Sequence, residues 1–100
     1  MLALASDDRP ADVLVAFFTS EKSLATEFPG LKTQLALNGG LWIAWPKKAS
    51  GIQADLDEQR VRAIGLAGGL VDNKVCAISD VWSGLRFVYR RQDRGSLPVN

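Results

Sequence analysis

The chain has 100 residues, of which 47% are hydrophobic and 23% are charged, and its net charge is +1. This length allows one domain at most, and the composition excludes an intrinsically disordered chain. The small net charge provides no overall field to attract nucleic acid or an anionic membrane. Because the sequence contains no histidine, Ser-His-Asp catalysis, Cys-His catalysis and histidine-bound zinc are excluded within these residues.

The first part of the chain predicts a buried strand and two short helices. Residues 11–18 (ADVLVAFF) form a continuous apolar run, which is typical of a strand buried on both faces. Ser20 or the preceding threonine can cap a helix over 21–28, and Pro29-Gly30 should break or bend it. A second helix is predicted over 31–37, with Leu31, Leu35 and Leu37 on its apolar side. Asn38-Gly39-Gly40 should end it.

The second part predicts a strand, a helix and two further strands. Leu41–Trp45 is apolar and ends at Pro46. Asp55, with Glu58 three residues later, is typical of an N-cap for a helix over 56–67. Apolar residues at 75–78 predict the third strand, and strict alternation over 85–90 predicts a fourth strand with one wetter face.

Strands that alternate with helices favour right-handed crossovers and parallel pairing. We therefore predict a three-layer, Rossmann-like α/β fold, with a mostly parallel sheet and a C-terminal antiparallel strand. Residues 1–92 form the domain, and 93–100 form a frayed tail. The longest apolar run is too short to span a membrane, and the N-terminus lacks the basic start of a secretory signal, so we expect a cytoplasmic protein.

Three stretches of the chain carry a resemblance to a known family: Gly40–Gly51 (GLWIAWPKKASG), Gly69–Ile78 (GLVDNKVCAI) and Trp82–Arg90 (WSGLRFVYR). In this order and spacing they resemble a bacterial family, domain of unknown function 3052. The family has no known activity, so the resemblance implies a fold rather than a reaction. Members usually carry an additional N-terminal strand and turn, and this sequence starts after them; a shorter natural variant, a truncation or a mis-set start would each account for this difference.

The order of elements also resembles the C-terminal half of a class I, S-adenosylmethionine-dependent methyltransferase. The cofactor of such enzymes lies on a glycine-rich turn after the first strand and at the acidic end of the second. Neither feature is present here, so a complete methyltransferase is not expected, and no cofactor or metal is predicted.

In open α/β sheets, ligands bind beyond the carboxyl ends of the parallel strands. The loops that should meet there carry the candidate ligand-binding residues Thr19, Ser20, Trp45, Lys47, Lys48, Trp82 and Ser83. The lysines could hold a small anion and the tryptophans could stack on a planar group. The alternatives are solvated loop lysines and tryptophans that cover the core. No catalytic residue is predicted.

Other residues have structural interpretations. Asp72 should take part in a turn or pair with Lys74. Cys76, the only cysteine, should be a buried thiol, and Trp42 should lie in the core or against a helix. Arginines after Leu85 make the last strand basic, which usually marks a solvated edge. A weak nucleic-acid contact at this basic edge is a third functional hypothesis, but nucleic acid is not the expected partner, because few aromatic residues suited to base stacking are interleaved with the arginines.

The apolar strand at Val13–Phe18 would be an exposed sheet edge if nothing covered it. Two arrangements would protect it. Residues 1–6 could fold back as a short strand, or two copies of the chain could pair across this edge. We predict the second arrangement, a homodimer.

Two main functional hypotheses follow, beside the nucleic-acid hypothesis above. The first is a non-enzymatic interaction or regulatory module with a methyltransferase-like fold. The alternative is a binding protein or enzyme that uses the carboxyl edge of the sheet for a small anionic or nucleotide-like molecule.

Overall fold

A computed structural model describes residues 2–3 and 11–90. The elements in chain order are β1 (Leu2–Ala3), β2 (Ala11–Phe17), α1 (Glu21–Gln34), β3 (Leu35–Pro46), a 3-10 turn (Lys48–Ser50), α2 (Glu58–Ala67), β4 (Leu70–Ala77) and β5 (Trp82–Tyr89). The predicted C-terminal tail lies outside the described residues. Neither described helix is long and apolar enough to cross a membrane.

The strands form one mixed sheet in the order β1-β2-β3-β5-β4. Only β2 and β3 pair in parallel, whereas β5 runs antiparallel to both β3 and β4. The prediction of a mostly parallel sheet is therefore wrong for these strands. The short connection from β4 to β5 allows these two strands to pair only antiparallel. Because β5 also lies between β3 and β4, it separates the two strands that would otherwise pair in parallel. The expected antiparallel last strand is present.

Both helices pack on the same face of the sheet, so the described residues form two layers rather than three. The core combines alternate residues of the strands with one side of each helix: Leu14, Ala16, Leu41, Ile43, Leu85 and Phe87 from the sheet, and Leu24, Phe28, Leu31 and Val61 from the helices. The crossovers β2-α1-β3 and β3-α2-β4 step in the same direction along the sheet. Right-handed crossovers that step in one direction place their helices on one face.

Helix α1 is continuous from Glu21 to Gln34, although two helices were predicted. Pro29 lies inside it and removes one backbone hydrogen bond. Phe28 and Leu31, on either side of the proline, are both buried in the core. Their shared burial holds both halves against the sheet, so tertiary packing overrides the local break signal. Leu35 consequently begins β3, and Asn38-Gly39-Gly40 lies within that strand instead of ending a helix.

Helix α2 begins two residues later than predicted, because Asp57 and not Asp55 is its N-cap. The Asp57 carboxylate accepts a hydrogen bond from the backbone N–H of Arg60 at 2.9 Å. That bond is the main reason why the pKa of Asp57 is below its usual value. Farther along α2, Arg62 bridges Glu58 at 2.7 Å and Asp72 of β4 at 3.0 Å. Asp72 therefore pairs with the helix rather than with Lys74.

Part of the outer edge of β2 is covered by β1. Leu2 pairs with Phe17 and Ala3 with Ala16, in antiparallel register. This is the first of the two arrangements that the sequence allowed for the edge. The predicted homodimer across Val13–Phe18 remains a prediction.

Candidate functional site

Three loops meet at one edge of the sheet, as the sequence predicted. Strands β2, β3 and β4 run in the same direction, because two antiparallel steps through β5 restore the direction of β3 in β4. The backbone N–H of Lys47 donates to the Val81 carbonyl at 2.8 Å, and the N–H of Asp55 donates to the Thr19 carbonyl at 3.1 Å. We name this region the carboxyl edge.

The N-terminus of α1 at the carboxyl edge is already bonded to groups of the chain itself. The Asp55 carboxylate accepts a hydrogen bond from the backbone N–H of Glu21 at 2.6 Å. The Ser20 hydroxyl accepts another from the N–H of Ser23 at 3.3 Å. Asp55 is thus a helix cap, as its residue type indicated, but it caps α1 and not the predicted helix that follows it in sequence. An external anion would have to displace this carboxylate.

The two candidate lysines stand in a partly acidic setting. Lys47 is half-buried, and its carbonyl accepts a hydrogen bond from the Ser50 hydroxyl at 2.7 Å. Lys48 is exposed and close enough to Asp57 to contribute to the lowered pKa of that carboxyl group. The carboxyl edge therefore combines both signs of charge. In addition, the described strands have no point at which the crossover direction reverses, where doubly wound sheets open a ligand crevice.

The remaining candidates separate into the core and the opposite surface. Trp45 is only 6% exposed and belongs to the core, which is the structural alternative that the sequence left open. Ser83 is half-buried and lies in β5 between Trp45 and Ala77 of the neighbouring strands. Trp82 points away from the helices and contacts the Phe17 ring edge-on, with ring centroids 5.0 Å apart.

An aromatic cluster occupies the sheet face on which no described helix packs, here called the helix-free face. Its members are Phe17 of β2, Trp42 of β3 and Trp82 of β5, and all three are half-buried. Small residues make the cluster possible. Ala44 is completely buried beneath it, and Gly84 has no side chain where Ile78 and Trp42 lie. Trp42, predicted for the core or a helix contact, is instead on this face.

Aliphatic side chains extend the cluster toward the β2 edge. Val13 and Val15 alternate with the buried core residues of β2 and therefore lie on the helix-free face. Val13 is 61% exposed, the highest value among the large hydrophobic residues of the described chain. Single exposed apolar side chains are common on protein surfaces, whereas a contiguous group of them usually marks an interaction site.

Two cations lie among these apolar residues. The Arg86 side chain passes over Gly40, where a Cβ would come within 2.3 Å of its Nε. Lys74 is directly opposite Arg86 in the β4–β5 register, so both occupy the same face. Neither forms an ion pair with a described residue. The acidic strand residues, Asp12 and Asp72, occupy the alternate positions and lie toward the helices.

Sequence reasoning missed this surface because its residues come from separate strands. The sequence did contain one signal. Phe17 and Trp42 occupy positions that alternate with the core residues of their own strands, which places both on the face opposite the core.

Cys76 was also misassigned: it is exposed, not buried. It lies opposite Gly84 in β4, an edge strand, so its apolar neighbours in sequence do not enclose it.

A comparison with protein-family models finds none that matches this chain, and a search of curated proteins finds no match either.

Proposed function

We propose that this chain is a non-catalytic interaction module that binds its partner through the helix-free face. The observation that carries the proposal is the half-exposed cluster of Phe17, Trp42 and Trp82, bordered by Arg86 and Lys74. A partner suited to this face would offer flat apolar groups together with negative charge. Aromatic residues and arginine are the types enriched where binding energy concentrates.

The carboxyl edge supports the alternative, a small anionic or nucleotide-like ligand, less well. Its loops meet, which favours a site, but Asp55 occupies the α1 amide and Asp57 faces Lys48. A ligand present at one hundred times its dissociation constant would stabilise the fold by about 2.7 kcal/mol. A melting-temperature screen with nucleotides and S-adenosyl compounds tests this alternative, and a shift that disappears in Lys47→Ala would locate it.

The family resemblance remains part of the proposal. The likeness to domain of unknown function 3052 rests on the three sequence stretches alone. The antiparallel last strand β5 supports the likeness to the C-terminal half of a methyltransferase-like, Rossmann-like fold. A homodimer through Val13–Phe18 is a further proposal. Light scattering coupled to size exclusion tests it, and a monomer at micromolar concentration would rule the dimer out.

The test of the main proposal uses the dye anilinonaphthalene sulfonate, which combines flat apolar rings with one negative charge. We expect the native protein to bind it with enhanced dye fluorescence, and Trp42→Ser or Arg86→Gln to weaken that binding. Leu66→Ser is the matched control, because Leu66 is a 40% exposed apolar residue on α2, in the helical layer. Circular dichroism verifies that each variant is folded.

A second measurement does not depend on any variant. Iodide should quench the fluorescence of Trp42 and Trp82 in the native protein but leave the buried Trp45 largely unaffected. An absence of dye binding together with a fully protected tryptophan signal would mean that this face is covered, and the proposal would fail.

A further inference from the structure

We infer that the helix-free face binds single-stranded nucleic acid, an inference that rests on the proposed function and specifies its partner. The face combines three half-exposed aromatic rings with two cations on a four-stranded platform. Bases of a single strand stack on such rings whatever their sequence, because every base has a π-face. Phosphates pair with arginine and lysine side chains.

The geometry separates a stacking region from a phosphate-binding region. Trp82 pairs with Pro46 at the carboxyl end of β3, whereas Trp42 pairs with Arg86 four residues earlier along β3. With strands about 4.8 Å apart and a rise of about 3.3 Å per residue, the Cα atoms of these two tryptophans are roughly 14 Å apart. The Trp42 ring extends from its Cα over Gly84, toward Trp82, so the two rings are closer than their Cα atoms. Rings arranged in this way suit two or three neighbouring bases of a single strand, the number that other open-faced α/β sheets stack.

Arg86 and Lys74 border the stacking region on the same face. The Arg86 side chain reaches over Gly40 of β3, two residues before Trp42, and Lys74 lies on β4 opposite Arg86 in the register. A phosphate backbone that contacts these cations would leave its bases directed toward Trp42 and Phe17.

Charge decides against a second copy as the occupant of this face. Two copies face to face would bring two pairs of Lys74 and Arg86 together, with no acidic residue of the described strands on either face to compensate. An acidic peptide would satisfy the cations but would not use the planar surfaces of the rings.

The sequence by itself did not favour nucleic acid as a partner, whereas the structure does. The reason is that the aromatic residues are interleaved with cations across neighbouring strands and not along the chain.

The expected affinity is modest and depends on salt. Each phosphate contact on a single strand contributes about −0.7 to the slope of log binding constant against log salt concentration, so two contacts give about −1.4. Binding should therefore be measurable at low ionic strength, together with quenching of tryptophan fluorescence by the stacked bases.

The experiment measures anisotropy of short labelled uridine and deoxythymidine oligonucleotides with the full chain at several salt concentrations. Arg86→Gln and Lys74→Gln should each reduce the magnitude of the salt slope by about 0.7. Trp42→Ala should weaken binding by about 5- to 150-fold, as the loss of one stacked base does. Lys22→Gln, which removes the same charge from the exposed side of α1, is the matched control and should leave binding unchanged.

Several outcomes would overturn the inference. These are equal losses in Lys22→Gln and Arg86→Gln, tighter binding of duplex than of single strands, no oligonucleotide binding, or association of the protein with itself through Trp42. If the dye binds but neither oligonucleotide does, the interaction face stands and the nucleic-acid partner is wrong. If neither the dye nor an oligonucleotide binds, the proposed function fails as well.

Discussion

Replacing Gly65 of α2 with alanine tests the close contact between the helical layer and the sheet. A Cβ at Gly65 would lie 2.0, 2.3 and 2.6 Å from three carbons of the Phe87 ring. Carbon atoms normally approach to about 3.5–4.0 Å. Phe87 is completely buried and is itself packed edge-on against Phe28, with centroids 5.8 Å apart, so the ring has little freedom to move away.

The magnitude follows from two opposing effects. Overpacking a well-packed core costs about 1–3 kcal/mol, and the clash here favours the upper part of that range. Alanine in a helix interior recovers up to about 1 kcal/mol relative to glycine. We expect Gly65→Ala to lower the free energy of unfolding by about 1–2 kcal/mol, which corresponds to a drop in Tm of about 4–16 °C for a domain of this size.

Gly30 of α1 provides the matched control, because the residue is exposed and a methyl group added there would meet no atom within 4 Å. Gly30→Ala should raise the free energy of unfolding by about 0.5–1 kcal/mol through helix propensity alone. Urea unfolding of both variants is the assay. In a Phe87→Leu background, Gly65→Ala should become neutral or stabilising. A Gly65→Ala protein as stable as Gly30→Ala would refute the packing argument.

Three further predictions concern individual groups. Asp55→Ala should lower the free energy of unfolding, measured in urea, by about 0.5–2 kcal/mol. Asp55→Asn should retain most of the wild-type stability, since an amide oxygen can still accept a hydrogen bond from the Glu21 N–H. Equal losses in the two variants would contradict the capping role. Burial raises the pKa of Tyr89, whose hydroxyl donates to the Lys32 carbonyl at 3.0 Å. Its stabilisation should be complete below pH about 10, the ordinary tyrosine pKa, and lost as the pH rises through the higher folded-state pKa. Alkaline denaturation curves of wild type and Tyr89→Phe measure this, and identical curves would exclude it. Finally, Cys76 should react with a thiol reagent in the native protein without added denaturant, and reaction only after unfolding would contradict its exposure.

Local signals were sufficient where a residue type has one dominant role. The alternation of Leu85 and Phe87 with Arg86 predicted a strand with one buried side, and both apolar residues are in the core. Asp55 was recognised as a cap from its residue type. Its partner was misidentified, because the amide that it binds belongs to a helix more than thirty residues away along the chain.

Local signals failed where distant packing outweighs them. Pro29 is a helix breaker by itself, yet Phe28 and Leu31 keep α1 continuous by burying their side chains against the same core. Trp45 and Trp42 are three residues apart on β3, so the alternation of the strand places them on opposite faces. Nothing local shows which of the two faces is covered. The helices pack on the face that carries Trp45 and so make it the core residue.

By itself, the sequence determined the α/β class, the approximate order of strands and helices and the antiparallel last strand, because these depend on patterns within single segments and on the lengths of the connections between them. Only the tertiary structure decided that both helices share one face and that Phe17, Trp42 and Trp82 share the other, where Phe17 contacts Trp82. The physical reason is that strand order and crossover direction depend on long-range pairing, and these determine which residues from separate segments become neighbours.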